Sequence, residues 1–329
     1  MSLVVLKPGL LSTIQDLGRH GLQHLGVPVG GAMDSRAHRL ANLLVGNDEN
    51  EATLEITFGG PTLRFDATAC IAITGARLAP TLNGQAIANN RPLVVRQGDI
   101  LAFGQREAGL RAYLAWHGGL SLAPVLGSRS TNLRAGLGGI EGRALRKGDV
   151  LHLNKPLPAQ DLDELAGRLW DLRIYLPRAL VAQPRPALRM IMGAHVPLFS
   201  EEALANLFSE PFRVSPDSDR MGYRLRGPRL ALSEPVQLLS EAATFGSVQV
   251  PADGQPIILM ADRQTTGGYA KIGHIASVDL PLVAQSVPGD SLRFSEIPLA
   301  RAQQLDMLRE TAFTQLYESL APLRTLLGR

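Results

Sequence analysis

Residues 53–65 read Thr53-Leu54-Glu55-Ile56-Thr57-Phe58, then Gly59-Gly60-Pro61, then Thr62-Leu63-Arg64-Phe65. Apolar and polar residues alternate on both sides of the Gly-Gly-Pro break, the two-residue period of half-buried strands. The pattern continues downstream. Cys70-Ile71-Ala72-Ile73-Thr74 stops at Gly75, and Pro92-Leu93-Val94-Val95 precedes Gly98-Asp99-Ile100-Leu101-Ala102-Phe103. Short strands at such spacing, with turn residues between them, indicate sheets that curl into barrels or sandwiches. With 33 glycines and 22 prolines in 329 residues, the chain exceeds the usual share of roughly 12%. Long helices tolerate neither residue. The expected fold is mainly β, with a few short helices.

A strand-entry signature occurs three times, as Gly98-Asp99-Ile100-Leu101, Gly148-Asp149-Val150-Leu151 and Gly289-Asp290-Ser291-Leu292. Glycine accepts positive φ and aspartate bonds its own backbone, so Gly-Asp suits a turn, and the recurrence hints at related barrels. A Pro-punctuated stretch runs from Lys155-Pro156-Leu157-Pro158 to Gln183-Pro184-Arg185-Pro186 and holds a short helix near Asp161–Leu169. This places a first β domain at 1–155, a linker at 156–186 and a second β domain at 187–329. Asp34 is a good N-cap for a helix carrying Ala37, Leu40, Ala41 and Leu44 and stopping at Gly46. Ser200 opens another, with Glu201 and Glu202 at its positive start. A C-terminal helix over Arg301–Leu320 places Leu305, Leu308, Ala312, Phe313, Leu316 and Leu320 on one face, to pack on its own barrel or to dock a second protein.

Lys+Arg number 33 against 30 Asp+Glu. The basic residues are scattered and aromatics are few, which disfavours nucleic acid. A single Cys70 within an apolar run excludes an intramolecular disulfide and reads as a buried small hydrophobe. The start MSLVVLKPGLL lacks a basic leader, and no apolar run reaches about 18 residues. A soluble, cytoplasmic protein without membrane contact is expected. There is no P-loop, no G-x-S-x-G elbow and no H-E-x-x-H. His20 and His24 are four apart, but Gly18, Gly21 and Gly26 argue against a helix that would pair them on a metal. No metal site is expected. Without a Met-Lys-Met tripeptide, biotin would come only from another chain.

Three stretches carry chemistry. The first is Thr13-Ile14-Gln15-Asp16-Leu17-Gly18-Arg19 with Gly26-Val27-Pro28-Val29-Gly30-Gly31-Ala32-Met33-Asp34. N–H groups freed by Gly30 and Gly31 before a helix start could hold a carboxylate or carbonyl oxygen. The same residues also suit a glycine-rich connection in which Asp34 caps and Asp16 pairs with Arg19. The second is Asp262-Arg263-Gln264-Thr265-Thr266-Gly267-Gly268-Tyr269-Ala270-Lys271, leaving the apolar run Ile257-Ile258-Leu259-Met260. An acid, two cations, an amide and hydroxyls beyond a central strand is the composition of a small-molecule site. Arg263 can grip a carboxylate through two parallel bonds, Lys271 acts as a point charge, and Gln264, Thr265 and Thr266 could polarise a carbonyl. The third, around Asp219-Arg220-Met221-Gly222, fits a turn with a salt bridge as well as it fits a site.

The runs TIQDLGRHGLQHLGVPVGGAMD, LEITFGGPTLRF, LGSRSTNLRAGLGGIEGRALRKGD, VSPDSDRMGYRL and DGQPIILMADRQTTGGYAKIG together resemble the allophanate-hydrolase-subunit-2 family of biotin-dependent carboxyltransferase-like proteins. That family includes the C subunit of bacterial 5-oxoprolinase, to which a stand-alone chain of this size is most similar. The resemblance spans Thr13 to about Phe294. It implies two cyclophilin-like β-barrel domains and work in a complex with 5-oxoprolinase subunits B and A, which opens 5-oxoproline to glutamate at the expense of ATP. Lacking a P-loop, this chain would bind ATP by other geometry or leave it to a partner. Relatives in urea carboxylase move a carboxyl group from carboxybiotin to urea, and others antagonise a sensor-kinase inhibitor; these are the alternatives. The dense polar loop favours an enzyme over a regulator. Both enzymatic substrates are planar N–C=O units, which need fixed donors at oxygen. The motif positions implied are Gln15, Asp16, Arg19, Gly30, Gly31, Asp34, Asp219, Arg220, Gln264 and Thr266 for substrate, with Asp262, Arg263 and Lys271 as the catalytic group. Asp262 would orient the cations or move a proton, and Asp16 and Arg19 would face them from the other domain. The sequence departs from the family pattern at Gly193-Ala194-His195, at Trp116-His117, and at Ala270, where a proline is expected.

Overall fold

The computed structural model describes residues 1–157, 161–181, 183 and 185–328. Pro158 and Pro184, two of the expected linker prolines, lie outside the described residues. The chain forms two compact units, each discontinuous in sequence. One comprises Met1–Arg19, Gly30–Leu180 and Ala312–Arg329, and the other His20–Val29 and Val181–Thr311. A boundary drawn along the sequence at 155 or 187 does not describe this exchange of segments. The fold is mainly β, as expected, with six α-helices among the described residues.

In the first unit, a six-stranded sheet runs Val150–His152, Ser2–Lys7, Thr62–Phe65, Ile100–Phe103, Pro80–Leu82, Gln85–Ala86. A five-stranded sheet runs Leu11–Gln15, Thr53–Thr57, Ala108–Trp116, Ala69–Arg77, Pro92–Val95. The strands on either side of Gly59-Gly60-Pro61 thus fall in different sheets, and the break carries the chain from one to the other. Alternation then builds the core. Leu3, Val5, Leu63, Phe65 and Leu101 of one sheet meet Ile14, Leu54, Ile56, Ile71 and Leu114 of the other in one buried cluster, each contributing about 1.5–3 kcal/mol of burial. The opposite face of the five-stranded sheet (Cys70, Ala72, Tyr113, Ala115) is covered by helix Ser35–Leu43 and by Phe313, Leu316 and Leu320. Cys70 is the buried hydrophobe expected, its thiol pushed up to about 12 by burial.

The second unit holds an eight-stranded sheet ordered Ser291–Leu292, Phe212–Val214, Gly222–Arg226, Ile257–Leu259, Ser247–Val250, Ala270–Ile275, Leu188–Met192, Phe294–Glu296. Its two edge strands are separated in sequence by Arg293 alone, so the sheet is nearly closed, and closure removes the exposed edges of an open sheet.

The three Gly-Asp signatures are the same turn. Gly98, Gly148 and Gly289 have φ of 90°, 91° and 96°. In each, the aspartate carboxylate accepts the N–H three residues earlier: Asp99 from Arg96, Asp149 from Arg146, Asp290 from Val287, at 2.7, 2.7 and 2.9 Å. In each, Gly and Asp also bracket one residue of a neighbouring strand, Phe65, Val5 and Val214 respectively, through its N–H and C=O. Two lie in the first unit and one in the second.

The helices follow their caps. Asp34 accepts from Ala37 N–H, Asp161 from Asp163 and Glu164, and Ser200 from Ala203. The C-terminal helix spans Leu299–Ser319 and is followed by Ala321–Leu326. Ala312, Phe313, Leu316 and Leu320 are buried, but Leu308 is 56% exposed. At 100° per residue, Leu308 lies at the margin of the arc set by the buried positions, which corrects its expected place. No described helix is long and apolar enough to cross a membrane.

Candidate functional site

Strand Ile257–Leu259 hands the chain to the arc expected to carry chemistry. Asp262 N–H donates to the Arg220 carbonyl at 2.8 Å. Arg220 returns a fork, Nε to Oδ2 at 2.8 Å and Nη2 to Oδ1 at 3.1 Å. Both side chains are buried. Asp219 is exposed, and its Oδ1 accepts the N–H groups of Met221 and Gly222, so it shapes the turn that presents Arg220. The turn-plus-salt-bridge reading of this stretch is what the geometry displays.

Arg263 is different. It is 7% exposed, yet it makes no ion pair with a described carboxylate. Nε donates to Ala243 O at 3.3 Å, and Nη1 to Met260 O and Ala261 O at 3.3 and 3.5 Å. The guanidinium lies over the Phe245 ring, 5.7 Å from its centroid. Burial lowers its pKa to about 10, with Asp262 opposing. Its hydrogen bonds are long and go to neutral carbonyls, so this desolvated cation lacks a directly paired counter-charge. Gln23 Nε2 donates to the same Ala243 carbonyl at 3.4 Å, bringing the His20–Val29 segment beside Arg263 within the second unit.

Lys271 sits on strand Ala270–Ile275. Its Nζ donates to Glu241 Oε2 at 2.9 Å and to Ala242 O at 2.8 Å. Its backbone N–H donates to His195 Nδ1 at 3.1 Å. That bond places the imidazole proton on Nε2, which faces Glu241 Oε1 at 3.5 Å. Lys271 holds the Glu241 carboxyl below its ordinary value. Arg263 and Lys271 thus reach successive carbonyls, Ala243 and Ala242. Gln264 is half-buried. Thr266 is exposed and pairs with Ala242 in a two-residue ladder, Glu241–Ala242 with Thr266–Gly267. Glu241 and His195 were missed from sequence. His195 stood out only as a departure from the family pattern. Ala270, another departure, opens the strand opposite Val250, so ladder pairing ends the arc where proline was expected.

In the first unit, Gln15, Asp16 and Arg19 gather around residues 125–131. Asp16 accepts from Gly18 N–H, Ser128 Oγ, Ser130 Oγ and Arg129 N–H. Burial pushes its pKa up, but those four bonds outweigh it and hold the carboxyl below 3.8. Arg19 donates to Val125 O and Ser130 O. Gln15 Nε2 donates to Thr13 Oγ1 and Thr131 O. Gly31 is required by close approach, since a Cβ there would lie 2.8 Å from the Leu17 carbonyl carbon. Asp34 caps its helix and donates its N–H to Tyr113 Oη. Ser128 and Ser130 were not singled out from sequence. At Trp116-His117, Trp116 is fully buried and His117 Nδ1 meets Val45 O at 2.8 Å, a packing role.

Because Asp16 is depressed, its stabilisation is complete above the unfolded value and lost as pH falls through the folded one. Asp16→Asn should therefore cost about 2–4 kcal/mol at pH 7, and the deficit should shrink below about pH 4. Urea midpoints across that range measure it; a pH-independent deficit would contradict the role.

Residues 25–296 match the family model described as carboxyltransferase domain, subdomain A and B. The chain is 37% identical over 318 residues to the C subunit of 5-oxoprolinase from Escherichia coli (strain K12), covering 95% of this chain and 97% of that protein. It is 38% identical over 305 residues to the protein of the same name from Haemophilus influenzae, covering 93% and 94%. The solved structure of Kluyveromyces lactis urea carboxylase superposes with a TM-score of 0.86 at 34% identity, over 96% of this chain and 29% of that one.

Proposed function

The chain belongs to the family of the carboxyltransferase domain, subdomains A and B, and on that premise we propose that it is the C subunit of a 5-oxoprolinase. In this reading it is inactive alone. With partner chains of the B and A type it opens 5-oxo-L-proline to L-glutamate, driven by ATP. The observation that carries it is Arg263, a buried guanidinium without a carboxylate partner among the described residues. The substrate is a carboxylate next to a planar amide, and Arg263 holds that carboxylate by its fork. Lys271 has three donors; Glu241 and Ala242 take two, leaving one for the lactam oxygen as negative charge develops on it. Asp262, with both oxygens on Arg220, is a positioning residue for the arc rather than the proton carrier. This chain lacks a P-loop, so ATP is held either by other geometry here or by a partner.

A second reading is the carboxyltransferase component of a urea-type system, with carboxybiotin supplied by another chain. The family description and the urea carboxylase superposition support it. One experiment separates the two. The chain is mixed with its B- and A-type partners, 5-oxoproline and ATP, and glutamate is measured. Turnover that requires this chain is expected. No gain over the mixture lacking it defeats the first reading, and dependence on bicarbonate and a biotinylated carrier supports the second.

A further inference from the structure

Beside this group lies a side chain that nothing above employs. Gln249 is 1% exposed, and its Nε2 has no hydrogen-bond partner among the described residues. It stands opposite Lys271 across the antiparallel pair Ser247–Val250 and Ala270–Ile275, so the two side chains share a face with Cβ atoms about 5 Å apart. Its amide sits beside Gly267 of the two-residue ladder that carries Glu241, the partner of the Lys271 ammonium. A Cβ on Gly267 would come within 2.6 Å of Gln249 Nε2. Glycine at 267 therefore leaves the amide the space it occupies.

We infer that Gln249 is the specificity-determining residue that reads the cis-amide edge of the substrate. A primary amide presents N–H and C=O side by side. A lactam, held cis by its ring, presents the complementary pair in one plane, and so does urea. A trans secondary amide does not. Nε2–H donates to the substrate carbonyl oxygen while Oε1 accepts the substrate N–H. This rests on the 5-oxoprolinase reading for its substrate. Leaving a buried donor unmade costs stability, and that cost is recovered when the substrate arrives. The inference therefore carries a sign that a structural glutamine would not share.

Gln249→Met removes the donor and keeps the volume. In the reconstituted complex, kcat/KM for 5-oxoproline should fall about a hundredfold, while the melting temperature of the chain stays level or rises. The wild type should prefer the lactam to its lactone isostere, 5-oxotetrahydrofuran-2-carboxylate, as a competing ligand, and Gln249→Met should lose that preference. Gly267→Ala, whose Cβ pushes the amide aside, should reproduce the kinetic loss with Gln249 itself in place. Unchanged kcat/KM in both variants overturns the inference while leaving the 5-oxoprolinase reading intact. So does a melting temperature lowered by more than about 5 °C in Gln249→Met, which would show Nε2 satisfied within the fold. If the wild-type complex makes no glutamate, the 5-oxoprolinase reading fails separately. The same variants are then compared in carboxylation of urea, where an unchanged rate overturns the role of Gln249.

Discussion

Replacing Arg263 with alanine should lower glutamate formation by the reconstituted complex about a hundred- to a thousandfold, with little change in stability. Both halves of that result follow from the same geometry. The guanidinium is buried, but its bonds are to main-chain carbonyls at 3.3–3.5 Å. Removing it forfeits weak contacts and relieves a desolvated charge, so the folded state loses little. Its energy is realised when a carboxylate arrives and supplies a bidentate counter-charge. Arg263→Lys keeps the charge and loses the fork, and should recover only part of the rate. Initial rates with Arg263→Ala, alongside its urea midpoint, test the assignment. Unaltered kinetics would remove the arc from substrate binding, and a collapsed midpoint would make Arg263 a structural residue.

The arc itself was legible in the sequence because it is local. Ten residues leaving a buried strand concentrate two cations, an acid and an amide, and composition over so short a span shows itself without a fold. The same holds for Asp34, Asp161 and Ser200, whose caps act within three residues, and for the Gly-Asp turns, whose bonds span three. What the sequence withheld is distant along the chain. The partner of the Lys271 ammonium, Glu241, is 30 residues away, and that of its N–H, His195, is 76 away. Both depend on how strands pair. Asp16 finds Ser128 and Ser130 at separations of 112 and 114 residues, through a loop whose serines look ordinary by themselves. Leu308 failed for another reason: a helical wheel gives the centre of an apolar face more securely than its edges. The exchange of His20–Val29 and Ala312–Arg329 between units is invisible to any boundary read in order, because composition does not change where the chain crosses over.

The Arg220–Asp262 fork separates scaffold from chemistry most sharply. Asp262→Leu takes the forked carboxylate from the buried Arg220 guanidinium, and Arg220→Met takes the guanidinium from the buried carboxylate. Each single substitution should cost about 3–5 kcal/mol. Doing both removes two desolvation penalties together, and the double variant should return to within about 1 kcal/mol of the parent. Were Asp262 the group that moves a proton, that refolded double variant would be inactive. Each of its oxygens is engaged by Arg220, and its part is to hold the turn from which Arg263 projects. The double variant should therefore keep activity within about tenfold of the parent, while Arg263→Ala does not. Denaturant midpoints of the four proteins in the cycle, read beside their kcat values, decide the matter. A stable double variant without turnover would restore Asp262 to the chemistry.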